Sequence, residues 1–228
     1  LAEIARAAGT APETRRIFLA DGDALSLSTD RLRRIIETLR AGFPDLERVG
    51  IYSDAHAILR KSPDELNELR TLGLGIVYLG LESGSDEVLL RIKKGCTSSE
   101  MTRAVEHLRT AGISTSVIAL LGIGGCELSE VHTHETARVA SAMAPDYLSL
   151  LTLTLVPGTP LFEDARAGRF QELEPLGFLS ELRQIVAEFA PTRPVIFRTN
   201  HASNYVDLAG VLPRDRDRML ARLDQAIE

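Results

Sequence analysis

Apolar runs alternate with amphipathic stretches along this chain in a regular strand-then-helix order. The runs at 16–20, 48–52, 75–81, 116–121, 147–154 and 194–198 predict strands. Several are almost wholly apolar, as in parallel strands buried on both faces. Between them apolar positions fall at helical spacing, with Leu32, Ile35, Ile36 and Leu39 forming one stripe. Ser62-Pro63-Asp64-Glu65 sets an N-cap, a first-turn proline and a capping-box glutamate in four residues, and Thr97-Ser98-Ser99-Glu100 repeats the box without the proline. Gly42, Gly73 and Gly112 each close a Leu-Arg-containing helical pattern, which predicts left-handed C′ residues. Their recurrence reads as a weak repeat of one strand plus one helix, and hence a parallel sheet, open or closed into a barrel. After Asp146 the pattern loosens into the turn-rich Pro157-Gly158-Thr159-Pro160, a polar helix near 174–189 and a polar segment from Thr199 to Tyr205.

Composition narrows the partners. The 228 residues carry a formal net charge of −6, which gives no nucleic-acid signature. The most apolar run, 117–125, is far shorter than the roughly 20 residues that span a bilayer. Two cysteines, Cys96 and Cys126, make neither a disulfide framework nor a metal motif. A reducing, cytoplasmic setting is expected.

Three phrases stand where predicted strands end: Asp21-Gly22-Asp23, Leu79-Gly80-Leu81-Glu82-Ser83-Gly84, and Gly122-Ile123-Gly124-Gly125. Ligands of parallel sheets sit beyond these carboxyl ends. Glycine lets a backbone approach a ligand, and Asp21, Asp23 and Glu82 offer acceptors for amino or hydroxyl groups. The first phrase also reads as a plain β-to-α turn, and the second as a helix-entry cap. Ser85, followed by Asp86 and Glu87, is the better cap, which leaves Glu82 for another role. No Gly-Lys-Ser/Thr follows the third phrase, so it is not a phosphate loop. His132 and His134, two apart on a helix, would not chelate one metal together. Asp54, His56, Asn200, His201 and Asn204 are further polar candidates on the expected ligand face or in loops.

From about Arg16 to Pro160 these phrases resemble the radical S-adenosylmethionine (radical SAM) superfamily. The resemblance is to the branch with oxygen-independent coproporphyrinogen oxidase, the methylthiotransferases and the Elongator catalytic subunit. It implies a partial TIM barrel of the (β/α)6 type, with a radical SAM core over 1–165 and a C-terminal extension over 166–228. It also implies that S-adenosylmethionine is bound by Asp21, Gly22, Asp23, Glu82, Ser83, Gly122, Ile123 and Gly124, with Arg91 and Lys94 near its carboxylate. Family members hold a [4Fe-4S] cluster on a CxxxCxxC loop and cleave S-adenosylmethionine reductively to a 5′-deoxyadenosyl radical. No such cysteine motif occurs here. The resemblance therefore implies a chain truncated before the first strand's helix, with cluster cysteines upstream of Leu1 and no activity as it stands. An electron donor such as flavodoxin or ferredoxin and a small-molecule or peptide substrate are the implied partners. A non-catalytic ligand-binding relative and an ordinary TIM-barrel lyase are the alternatives.

Overall fold

The computed structural model describes residues 2–20 and 22–228. In chain order the elements begin with α1 (Ala2–Thr10), β1 (Arg16–Leu19), α2 (Thr29–Gly42), β2 (Arg48–Ser53), α3 (Ala55–Arg60) and α4 (Pro63–Leu72). They continue with β3 (Leu74–Glu82), α5 (Asp86–Arg91), α6 (Ser98–Thr110), β4 (Ser114–Leu121), α7 (Gly125–Met143) and β5 (Tyr147–Thr152). The last are α8 (Pro160–Arg166), α9 (Pro175–Glu188), β6 (Val195–Arg198), β7 (Ala209–Leu212) and α10 (Arg216–Ile227). The strands follow sequence order in one sheet. β1 to β3 pair in parallel, as do β5 and β6, and β7 returns antiparallel on β6. This is the mostly parallel α/β sheet of the partial TIM-barrel type. Among the described residues no helix is long and apolar enough to cross a membrane.

The chain divides into two compact units, one holding residues up to Leu79 with Arg103–Ser116, the other Gly80–Thr102 with Val117–Glu228. In the first, α2 buries Leu32, Ile36 and Leu39, and α4 buries Leu66 and Leu69. Each such side chain contributes about 1.5–3 kcal/mol by leaving water. The capping box of α4 forms: Ser62 Oγ accepts from the Glu65 amide at 3.2 Å, and Glu65 Oε2 from the Ser62 amide at 2.8 Å. Gly73 ends α4 at φ +120°. Gly42 differs from expectation. It stays inside α2 because a side chain there would meet Ala8 Cβ of α1 at 3.1 Å, so its smallness serves helix packing rather than chain reversal.

In the second unit α9 packs against α7 and α10. Its expected polar character is corrected, for it buries Phe178, Leu179, Leu182, Ile185 and Val186. β7 was not predicted, being four residues with only Leu212 fully buried and hence without a marked period. The polar segment after β6 is a hydrogen-bonded loop. Asn204 donates to the Leu150 and Thr199 carbonyls at 2.8 Å each and accepts from Thr152 Oγ1 at 2.9 Å.

Candidate functional site

In the second unit β3 ends on an unusual residue. Glu82 has φ +58°, a left-handed conformation that costs a side-chain-bearing residue about 1–2 kcal/mol. Its carboxylate folds back over Gly80, where an added Cβ would lie 2.3 Å from Oε1. Lys94 Nζ donates to the same oxygen at 2.8 Å. Both side chains remain 22% exposed, so the pair stands at the surface of the strand end rather than in the core.

The residues that follow turn inward. Ser83 is fully buried, and its Oγ accepts from the Ser85 amide at 3.1 Å and lies 2.8 Å from His132 Nδ1. Gly84 is required by close approach, since a Cβ there would stand 2.2 Å from the Glu135 carbonyl oxygen of α7. Ser85 caps α5, accepting from the Val88 amide at 3.4 Å. Arg91 bonds Glu127 at 3.1 Å and the Arg169 carbonyl at 2.7 Å, with its guanidinium over the Phe170 ring. It is therefore committed to protein partners.

At the end of β4, Gly122 has φ +81°, and a Cβ would meet the Phe178 ring at 2.2 Å. Ile123 is buried, and Gly124 admits the backbone of α7, a Cβ there lying 2.9 Å from the Leu128 carbonyl oxygen. The Gly122 amide donates to Glu181 Oε2 at 2.6 Å, and Ser129 Oγ donates to Glu181 Oε1 at 2.6 Å. His132 Nε2 is buried and lies 3.8 Å from Glu181 Oε2, too far to bond. Burial pushes the Glu181 carboxyl up to about 7, against the hydrogen bonds from Ser129 and Gly122. Burial pushes the His132 imidazole down to about 4, outweighing the nearby Leu120 carbonyl. The imidazole is thus neutral, and the donor in its bond with Ser83 follows from which ring nitrogen carries the proton.

Glu82, Ser83, Gly122, Ile123 and Gly124 therefore belong to one unit, in which Ser83 bonds His132 and Gly122 bonds Glu181. Gly22 and Asp23 belong to the other, and Asp21 lies outside the described residues. Nothing stands within 4 Å of a Cβ built on Gly22. Asp23 Oδ1 accepts from Ser53 Oγ at 3.3 Å and the Asp54 amide at 3.4 Å, and burial followed by the neighbouring Asp54 raises its pKa. Asp54 itself caps α3 through the Ala57 amide at 2.7 Å. The sequence reading missed Glu181. The available signal was a carboxylate on the stripe formed by Phe178, Leu182 and Ile185, where helical spacing calls for an apolar residue.

The Radical SAM superfamily model matches residues 1–137. The tRNA uridine(34) acetyltransferase of Methanocaldococcus infernus is 24% identical over 135 residues, 58% of this chain and 25% of the relative. The heme chaperone HemW of Bacillus subtilis is 21% identical over 179 residues, 77% of this chain and 46% of the relative. The anaerobic magnesium-protoporphyrin IX monomethyl ester cyclase of Cereibacter sphaeroides is 30% identical over 130 residues, 57% of this chain and 21% of the relative. This chain thus spans less than half the length of each of these relatives. Two solved structures share the fold. The archaeal Elp3 of Methanocaldococcus infernus gives a TM-score of 0.65 at 13% identity, covering 100% of this chain and 58% of that one. Coproporphyrinogen III oxidase (HemN) of Escherichia coli gives 0.61 at 19% identity, covering 76% and 39%. With the family model matched over more than half of its residues, the chain belongs to the radical SAM superfamily.

Proposed function

We propose that this chain binds S-adenosylmethionine at the carboxyl ends of β3 and β4, as the binding body of a radical SAM enzyme. The observation that carries the reading is Glu82. A non-glycine residue persists at φ +58° only where its surroundings over-determine it, and such strain clusters at ligand sites. Here the strain turns a carboxylate onto Lys94 while leaving both groups partly open to solvent. The amino-acid end of S-adenosylmethionine is a zwitterion, and this pair supplies one complementary group for each of its charges. Glu82 would accept from the ammonium and Lys94 would donate to the carboxylate. Ser83, buried and bonded, holds the strand end in place rather than touching ligand.

S-adenosylmethionine supplies the sulfonium that radical SAM enzymes cleave to a carbon radical. A [4Fe-4S] cluster does not fit the residues present. It needs thiolate ligands, and the chain has two cysteines, Cys96 buried and Cys126 exposed. We read residues 1–165 as the core and 166–228 as its extension. A small-molecule or peptide substrate, an electron donor of the flavodoxin or ferredoxin kind and a cytoplasmic setting complete the reading. Calorimetric titration of the chain with S-adenosylmethionine tests it. Binding is expected for the wild type, and about tenfold weaker binding for Glu82→Gln and Lys94→Met, each of which removes one charge-assisted bond. No binding by the wild type, or equal binding by both variants, would refute it.

A further inference from the structure

The glycine loop after β4 is held by a residue that lies beyond the family-matched region. Glu181 sits on α9, past residue 137, with its side chain 1% exposed. One oxygen accepts from the Gly122 amide and the other from Ser129 Oγ, both at 2.6 Å. One turn earlier on the same helix, the Phe178 ring fills the face where Gly122 lacks a side chain. A single helix therefore grips the loop twice, by an acceptor on its amide and a ring on its bare α-carbon. We infer that Glu181 is a positioning residue, fixing the Gly122-Ile123-Gly124 loop in the conformation that receives S-adenosylmethionine. This rests on the binding reading above.

The choice of an acid is informative. A glutamine could satisfy the same two partners without placing a charge in the core, and glutamate is almost never fully buried unless paired. A carboxylate links the loop to protonation instead. When ionised, both oxygens accept. When protonated, one oxygen must donate, and only Ser129 can receive, because the Gly122 amide is itself a donor. Burial sets that change at about 7. His132, His134 and Asp224 on the packed neighbours are themselves neutral or paired. On α7, His132 is kept neutral by burial and His134 pairs with Glu188 at 2.9 Å. On α10, Asp224 is engaged by Arg183.

The test combines amide NMR of the intact chain with S-adenosylmethionine titration. In the wild type the Gly122 amide resonance is expected to move with a midpoint near 7. Glu181→Gln should abolish that movement with the spectrum otherwise unchanged, and should bind S-adenosylmethionine within about threefold of wild type. Glu181→Ala, which strands the Gly122 amide, should bind about tenfold more weakly. A Gly122 amide indifferent to both pH and Glu181→Gln would overturn the inference, as would wild-type affinity in Glu181→Ala. Failure of the wild type to bind S-adenosylmethionine would refute the binding reading and with it the loop's role. The amide titration would then still decide whether Glu181 holds Gly122. Should Glu181→Ala not fold, Ser129→Ala, which frees one oxygen and leaves the amide bonded, is expected to shift the Gly122 midpoint. An unmoved midpoint would count against the clamp.

Discussion

Two strand ends carry the same kind of phrase and are built in opposite ways. After β1, Gly22 faces open space, and Asp23 has two weak hydrogen bonds at 3.3 and 3.4 Å. After β4, Gly122 is pressed by the Phe178 ring and its amide is bonded to a buried carboxylate at 2.6 Å. Glycine at the first is permissive. At the second it is obligatory, by positive φ and by steric fit. Similar sequence therefore marks similar location, while the tertiary neighbours decide what the glycine is for.

The largest expected effect breaks this contrast directly. Gly122→Ala should destabilise the protein by on the order of 4 kcal/mol, from strained backbone plus overpacking against Phe178. Gly22→Ala should change stability by less than about 0.5 kcal/mol. Urea unfolding midpoints of the two variants check both figures.

Next in size is a pair of opposed pH dependences. The Glu181 carboxyl titrates near 7 in the fold and near 4.5 when unfolded, so its contribution is fully present below pH 4.5 and is lost as pH rises to 7. His132 titrates near 4 folded and 6.5 unfolded, so its contribution is present above 6.5 and is lost as pH falls to 4. Each is worth about 3 kcal/mol, and between 4.5 and 6.5 the two slopes cancel. The stability of Glu181→Gln relative to wild type should accordingly rise by about 3 kcal/mol from pH 4.5 to 7. His132→Gln should lose about the same, relative to wild type, from pH 4 to 6.5. Urea melts across that range check the sign as well as the size.

Smaller still is the cap of α5, where Ser85→Ala should cost about 1 kcal/mol by removing the acceptor for the Val88 amide. Smallest is Asp23→Asn at the open end. It keeps both weak bonds and should shift stability by less than about 0.5 kcal/mol.

Local signals were the legible part of this sequence. The six predicted strands are present with ends shifted by at most two residues, because continuous apolar runs bounded by turns leave little freedom of assignment. Both capping boxes form. That of α6 has Thr97 Oγ1 accepting from the Glu100 amide at 3.2 Å and Glu100 Oε2 from the Thr97 amide at 2.8 Å. What could not be read was set by distant partners. Gly42 looked like a helix end because nothing local reveals α1 against it. Glu82 was legible as free of capping duty, but not its bond to Lys94, twelve residues on beyond a helix and a turn. Glu181 fell within a helix read as polar, and its partners, Gly122 and Ser129, are more than fifty residues away. The strand-end phrases located a candidate site, but not which glycines face a ligand and which face Phe178.

The claim that S-adenosylmethionine binds at the ends of β3 and β4 is tested most directly by titrating it into isotopically labelled chain and following backbone amides. The account predicts saturable shifts concentrated at Gly80, Leu81 and Glu82 and at Gly122, Ile123 and Gly124. Saturation with these six amides unmoved, or no shift anywhere, would contradict it.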